Sequence, residues 1–128
     1  MPTIRWFLGI LAATCAMLSC HPTPAPESPP RGQLGRMVVP VHYGIELTID
    51  PSKDEFSGAV DIDVTLAQPR AAIWLHGKDL KVSEAYATDA RSHRVAATYA
   101  EKLDSGVALL SFAEILPAGA IKLHFDYS

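Results

Sequence analysis

Between Val38 and Asp50 the chain reads VVPVHYGIELTID, and its later part alternates strictly between apolar and polar side chains. Tyr43, Ile45, Leu47 and Ile49 fall on one face of an extended strand, with His42, Gly44, Glu46, Thr48 and Asp50 on the other. A period of two places one apolar face toward a core and excludes an amphipathic helix over the same stretch. The pattern therefore predicts a strand buried on the Tyr43 side, around which the remaining segments close a core.

The next segment, Phe56 to Leu66, repeats the pattern. Phe56, Gly58, Val60, Ile62, Val64 and Leu66 alternate with Ser57, Ala59, Asp61, Asp63 and Thr65, so the acidic face points to water. Pro51-Ser52-Lys53-Asp54 between the two supplies turn chemistry, and the pair reads as an antiparallel hairpin. Gln68-Pro69-Arg70 interrupts, and Ala72 to His76 is a short strand with Ile73 and Leu75 inward. Strands follow at Leu80 to Ala87 and Arg94 to Tyr99. Val107 to Phe112 is nearly continuously apolar, as for a strand covered on both faces. Leu116-Pro117-Ala118-Gly119 turns the chain, and Ile121, Leu123, Phe125 and Tyr127 alternate in a last strand. Six or seven short strands without an amphipathic helix define an all-β class, an antiparallel β-sandwich or a curved, saddle-like sheet. The chain stops at or inside a strand, which predicts an unpaired sheet edge there and a fold incomplete at the C-terminus, as in a fragment.

The first 35 residues are of another kind. Residues 1–20 carry Arg5 and then an apolar run from Trp6 to Leu18, too short for a spanning helix and suited to a secretory signal. The run ends in Ala16-Met17-Leu18-Ser19-Cys20, which resembles the lipobox of bacterial lipoproteins. That resemblance implies acylation of Cys20, and so a lipid-anchored protein of the bacterial cell envelope facing the periplasm. Residues 21–35 open with HPTPAPESPP, where dense proline excludes helix and sheet and leaves an extended tether. Cys15 and Cys20 both lie in the leader, so residues 36–128 hold no internal disulfide. With a formal net charge of −3 and lysines and arginines scattered, nucleic acid is not an expected partner.

Residues 36–128 resemble the N-terminal β-domain of zinc aminopeptidases of the aminopeptidase N and leukotriene A4 hydrolase family. The resemblance is carried by Arg36-Met37-Val38-Val39-Pro40-Val41-His42-Tyr43 and by Phe56-Ser57-Gly58 with Val60, Ile62 and Val64. It continues through Ile73-Trp74-Leu75-His76-Gly77-Lys78-Asp79-Leu80, the apolar strand and glycine of Leu109 to Gly119, and Leu123 to Tyr127. It implies a saddle-like domain that braces a catalytic domain and walls one side of the active-site cleft. Pro40, His42, Tyr43, Phe56, Gly58, Leu75 and His76 would be its structural framework, with packing and hydrogen bonding the roles of the two histidines. The full enzyme implied is a zinc metallopeptidase acting on peptides. This chain has no His-Glu-x-x-His, the helical pattern that binds zinc through two imidazoles with the glutamate as general base, and no Gly-x-Met-Glu-Asn. No cofactor and no catalytic or metal-ligating residue is therefore expected in it, and alone it should be inactive. The remaining reading is a stand-alone envelope lipoprotein whose β-sandwich binds other molecules.

Residues that carry chemistry elsewhere are weakly placed here. His42, His76, His93 and His124 sit on separate strands or turns rather than at ligand spacing. Asp61 and Asp63 share a face, with Glu46 and Asp50 across the hairpin, and read as a solvated acidic face. Ser57, Ser105 and Ser111 have no neighbouring histidine in sequence, and Trp74, between Ile73 and Leu75, suits a core or interface.

Overall fold

A computed structural model describes residues 28–128. Seven strands follow one another: β1 (Val38–Thr48), β2 (Ser57–Leu66), β3 (Arg70–His76), β4 (Val82–Asp89), β5 (Arg94–Leu103), β6 (Val107–Leu116) and β7 (Gly119–Tyr127). They form one antiparallel sheet in the order β1-β2-β7-β4-β5-β6-β3, curled into a half-barrel. The curved sheet is thus the architecture realised, and the sandwich is not.

The β1/β2 hairpin forms as the turn chemistry requires. Asp50 Oδ1 accepts bonds from the Ser52 amide at 3.0 Å and the Ser52 hydroxyl at 2.7 Å, and the Lys53 amide closes onto the Asp50 carbonyl. These bonds hold the Asp50 carboxyl below its ordinary range, the Ser52 hydroxyl foremost. At the next hairpins, Asp89 Oδ1 accepts from the Arg91 and His93 amides between β4 and β5, and Gly106, at φ +85°, turns β5 into β6.

The core lies in the trough of the half-barrel. Val64 and Leu66 of β2, Ile73 of β3, Ala87 of β4, Val95 of β5, Leu110, Phe112 and Leu116 of β6, and Ile121, Leu123 and Phe125 of β7 are all buried. The register stacks these rows: Ile62 faces Leu123, Leu123 faces Ala87, and Ala87 faces Val95. At about 25 cal/mol per Å² of apolar area removed from water, this cluster is the main cohesive term of the fold.

Two sequence expectations fail, for one topological reason. The last strand is central, with β2 on one side and β4 on the other, and Ser128 exchanges backbone bonds with Lys81 at 2.8 and 3.1 Å. No unpaired edge lies at β7. The edges are β1 and β3. Accordingly β1 is not buried on its apolar side: Tyr43 is 54%, Ile45 64% and Leu47 52% exposed. These residues do share the core side of the sheet, with Tyr43 opposite Ile62 and Ile45 opposite Val60, but among the described residues nothing covers that end of the trough.

Candidate functional site

Two features of the sheet present side chains outward in an organised way. The first is the open apolar end of the trough. Tyr43, Ile45 and Leu47 of β1 continue the core face, and Phe56 joins them, its ring edge-on to Tyr127 at 6.4 Å and 84°. Where β1 and β3 approach, a cleft of about 110 Å³ forms between Val38, Pro40 and Tyr43 on one side and Arg70, Ile73 and Trp74 on the other. The cleft is smaller than an ordinary ligand pocket, and its walls are mostly apolar, with Arg70 among them.

The second feature is a polar ladder on the opposite face of the sheet. His124 of β7, 19% exposed, places Nδ1 2.7 Å from Asp61 Oδ1 of β2 and Nε2 3.4 Å from Asp126. Its ring stacks on Tyr86 of β4 at 4.6 Å, and the Arg94 guanidinium of β5 lies 3.4 Å over the other side of Tyr86 while pairing with Glu84. Lys122 pairs with Asp63 at 3.4 Å. The antiparallel register sets these partners, since Asp61 faces His124 and Asp63 faces Lys122 across β2 and β7. Opposite charges and stacked rings across neighbouring strands stabilise a sheet face.

Chemically the ladder is satisfied rather than poised. The carboxylates have basic partners, and the imidazole is held between the Asp61 and Asp126 carboxylates with the Tyr86 ring stacked on it. Among the described residues no group of three or more His, Cys, Asp or Glu is placed to hold a metal ion. The other displaced titrations also belong to structure. Backbone amide donation, first from His93, holds the Asp89 carboxyl low, and burial raises the Tyr99 phenol, whose hydroxyl donates to the Gly77 carbonyl at 2.6 Å.

The framework residues separate into those with a visible role and those without. Pro40 stands opposite Val64 beside an irregularity that inserts Val41 into β1. Leu75 packs against the core. Gly58 is required by close approach: a Cβ there would lie 2.5 Å from the Glu46 carbonyl oxygen and 2.9 Å from the Tyr127 hydroxyl. Phe56 is half exposed and fixed by Tyr127. His42, opposite Asp63, and His76, opposite Val107, are both exposed. Glu46 faces Ala59 rather than either aspartate. Cys20 and the signal lie outside the described residues. The ladder itself was missed by inspection of single strands. Its signal was the match between Asp61 and Asp63 on one strand and Lys122, His124 and Asp126 on another.

Comparison with known proteins agrees with this geometry. The family described as Peptidase M1 N-terminal domain matches residues 39–128. A glutamyl aminopeptidase of Mus musculus is 33% identical over 52 residues, covering 41% of this chain and 6% of its own length. Among solved structures, an M1 zinc metallopeptidase mutant from Deinococcus radiodurans bound to a Tyr-Ser-Ala substrate aligns with a TM-score of 0.55 at 25% identity. An M1 zinc metallopeptidase of the same organism aligns with the same score at 23% identity. Each alignment covers 73% of this chain and 21% of the solved chain. The chain therefore spans about a fifth of the length of the solved proteins it matches and a much smaller share of the curated one.

Proposed function

This chain belongs to the family of M1 peptidase N-terminal domains, and from that membership we propose that it serves as the non-catalytic front of a longer, exported zinc aminopeptidase. The observation that carries the proposal is the family match across residues 39–128, in a sequence with no His-Glu-x-x-His. In this reading the domain braces a catalytic domain that holds the zinc and cleaves N-terminal residues from peptides. The bracing surface is the open end of the trough, where Tyr43, Ile45, Leu47 and Phe56 present apolar area to a neighbouring domain. Residues 1–20 act as a lipoprotein-type signal, residues 21–35 as a tether and residues 36–128 as the domain. Acylated Cys20 then anchors the protein to an envelope membrane, supported by the Ala16-to-Cys20 sequence and the proline-dense spacer after it.

The purified 128-residue chain tests the location of the chemistry. It should neither release amino acids from aminoacyl anilides nor retain stoichiometric zinc after dialysis. Hydrolysis by this chain would overturn the assignment. The anchor is tested by Cys20→Ser, which should move the protein from the membrane to the soluble fraction. Retention on membranes would remove the acylation from the account.

A further inference from the structure

The free edge of β1 has a property that its exposed face alone does not. From Val41 to Leu47 the sequence VHYGIEL is a palindrome in chemical type about Gly44: apolar, ionisable, apolar, glycine, apolar, ionisable, apolar. The two ionisable positions are complementary, His42 on one side and Glu46 on the other. β1 is the edge of the sheet, and among the described residues no backbone hydrogen bond from outside its own hairpin reaches β1 between Val41 and Leu47. Val41, Tyr43, Ile45 and Leu47 are each more than half exposed. Natural edge strands are usually blunted by inward charge, lysine or proline along their length. Here Pro40 and the irregularity at Val41 sit at one end only, leaving seven residues open.

We propose that β1 pairs antiparallel with β1 of a second copy of this chain, about a two-fold axis through Gly44. In that register Gly44 lies opposite Gly44 of the other copy. His42 lies opposite Glu46, so that an imidazole N–H donates to a carboxylate at both symmetry-related places. Tyr43 lies opposite Ile45, and Val41 opposite Leu47, forming cross-strand apolar pairs of the kind that stabilise sheets. The two sheets become one continuous sheet across the axis, and pairing stops at Pro40 opposite Thr48, where proline offers no amide donor. The edge is used and the apolar face is left open, so the pairing is compatible with a domain docked on the trough.

Gly44 gives a direct probe of the register. A Cβ at this position meets only Asp61 Cβ at an ordinary 3.9 Å, so Gly44→Cys fits the monomer. Directly opposed residues in an antiparallel pair have Cα atoms about 4.5–5.5 Å apart, within the span of roughly 4.4–6.8 Å that a disulfide bridges. Thr48→Cys places the two thiols about 27 Å apart along the same strands. Both variants are made in the full 128-residue chain carrying Cys15→Ser and Cys20→Ser, kept in mild detergent and oxidised under identical conditions. The pairing predicts a particle holding two copies and a disulfide dimer at position 44 formed at least about tenfold faster than at position 48, in keeping with a distance-limited bond. His42→Glu should slow cross-linking at 44 by setting two glutamates against each other, and adding Glu46→Lys to it should restore the rate. Association through the apolar leader would cross-link both positions alike. A single-copy mass, equal rates at 44 and 48, or indifference to the charge exchange overturns the proposal.

Discussion

Gly58 shows how a residue that looks permissive in sequence can be fixed by its neighbours. It sits inside an alternating strand, where glycine ordinarily weakens the sheet, yet the Glu46 carbonyl and the Tyr127 hydroxyl occupy the space a methyl group would need. Gly58→Ala is expected to destabilise the fold by about 1–3 kcal/mol, the range for forcing an extra carbon into packed surroundings. Urea unfolding of the two proteins measures the difference. Tyr99 makes the converse point, a polar group tied into a mostly apolar setting. Tyr99→Phe leaves the Gly77 carbonyl without its phenol donor and should cost about 0.5–1.5 kcal/mol. Because burial, with a smaller contribution from Glu101, raises the phenol above the ordinary tyrosine value of 10.0, its stabilising contribution is fully present below that pH. The contribution is lost as pH rises through the higher folded value, and the wild type should lose stability there relative to Tyr99→Phe. Asp89 acts at the acid end with the opposite sign. Its carboxyl is depressed below 3.8, so its contribution is present above that value and fades as pH falls through the lower folded one. A pH series of thermal melts for wild type and Asp89→Asn reads this directly. Such roles were only partly legible in the sequence: Gly58 was marked by resemblance alone, and its physical reason needs Tyr127, which is 69 positions further along the chain.

At the scale of elements, alternation reports which side of a strand faces the core but not whether anything covers it. For β2 and β7 the two coincide, because both are interior to the sheet and their apolar rows meet buried partners. For β1 they do not, since it is the edge at the open end of the curl. Substitutions should separate the two cases. Leu110→Ala, at a fully buried site on β6, is expected to cost about 2–5 kcal/mol. Ile45→Lys, at a site 64% exposed on β1, should cost no more than the worth of a cross-strand pair, about 0.2–1 kcal/mol, in this chain. Equal losses in a denaturant titration would place β1 inside the core and contradict the topology. Strand ends at β3 to β6 also differ from the sequence pattern by two to four residues. Arg70, Asp89, Leu103 and Leu116 extend strands beyond their apolar patterns because ladder pairing continues where side-chain alternation lapses.

For the whole molecule, the strand order is what the sequence withheld. Seven segments read as strands, in order and nearly in place, but local pattern cannot say that the seventh inserts between the second and the fourth. That insertion moves the open edge from β7 to β1 and brings Asp61, Tyr86, Arg94 and His124 together from four strands. The same curled sheet is shared with M1 zinc metallopeptidases several times longer, and among the described residues no group of three or more His, Cys, Asp or Glu is placed to hold a metal ion. The central claim is that this domain works in front of a separate catalytic domain. Its most direct test is to capture the native protein from its source with an antibody against residues 36–128. The captured band is sized, and aminopeptidase activity is assayed with and without a zinc chelator. The account predicts a chain several times longer than 128 residues, with activity that the chelator removes and zinc restores. A captured protein of this chain's own size, inactive under every condition, would contradict it.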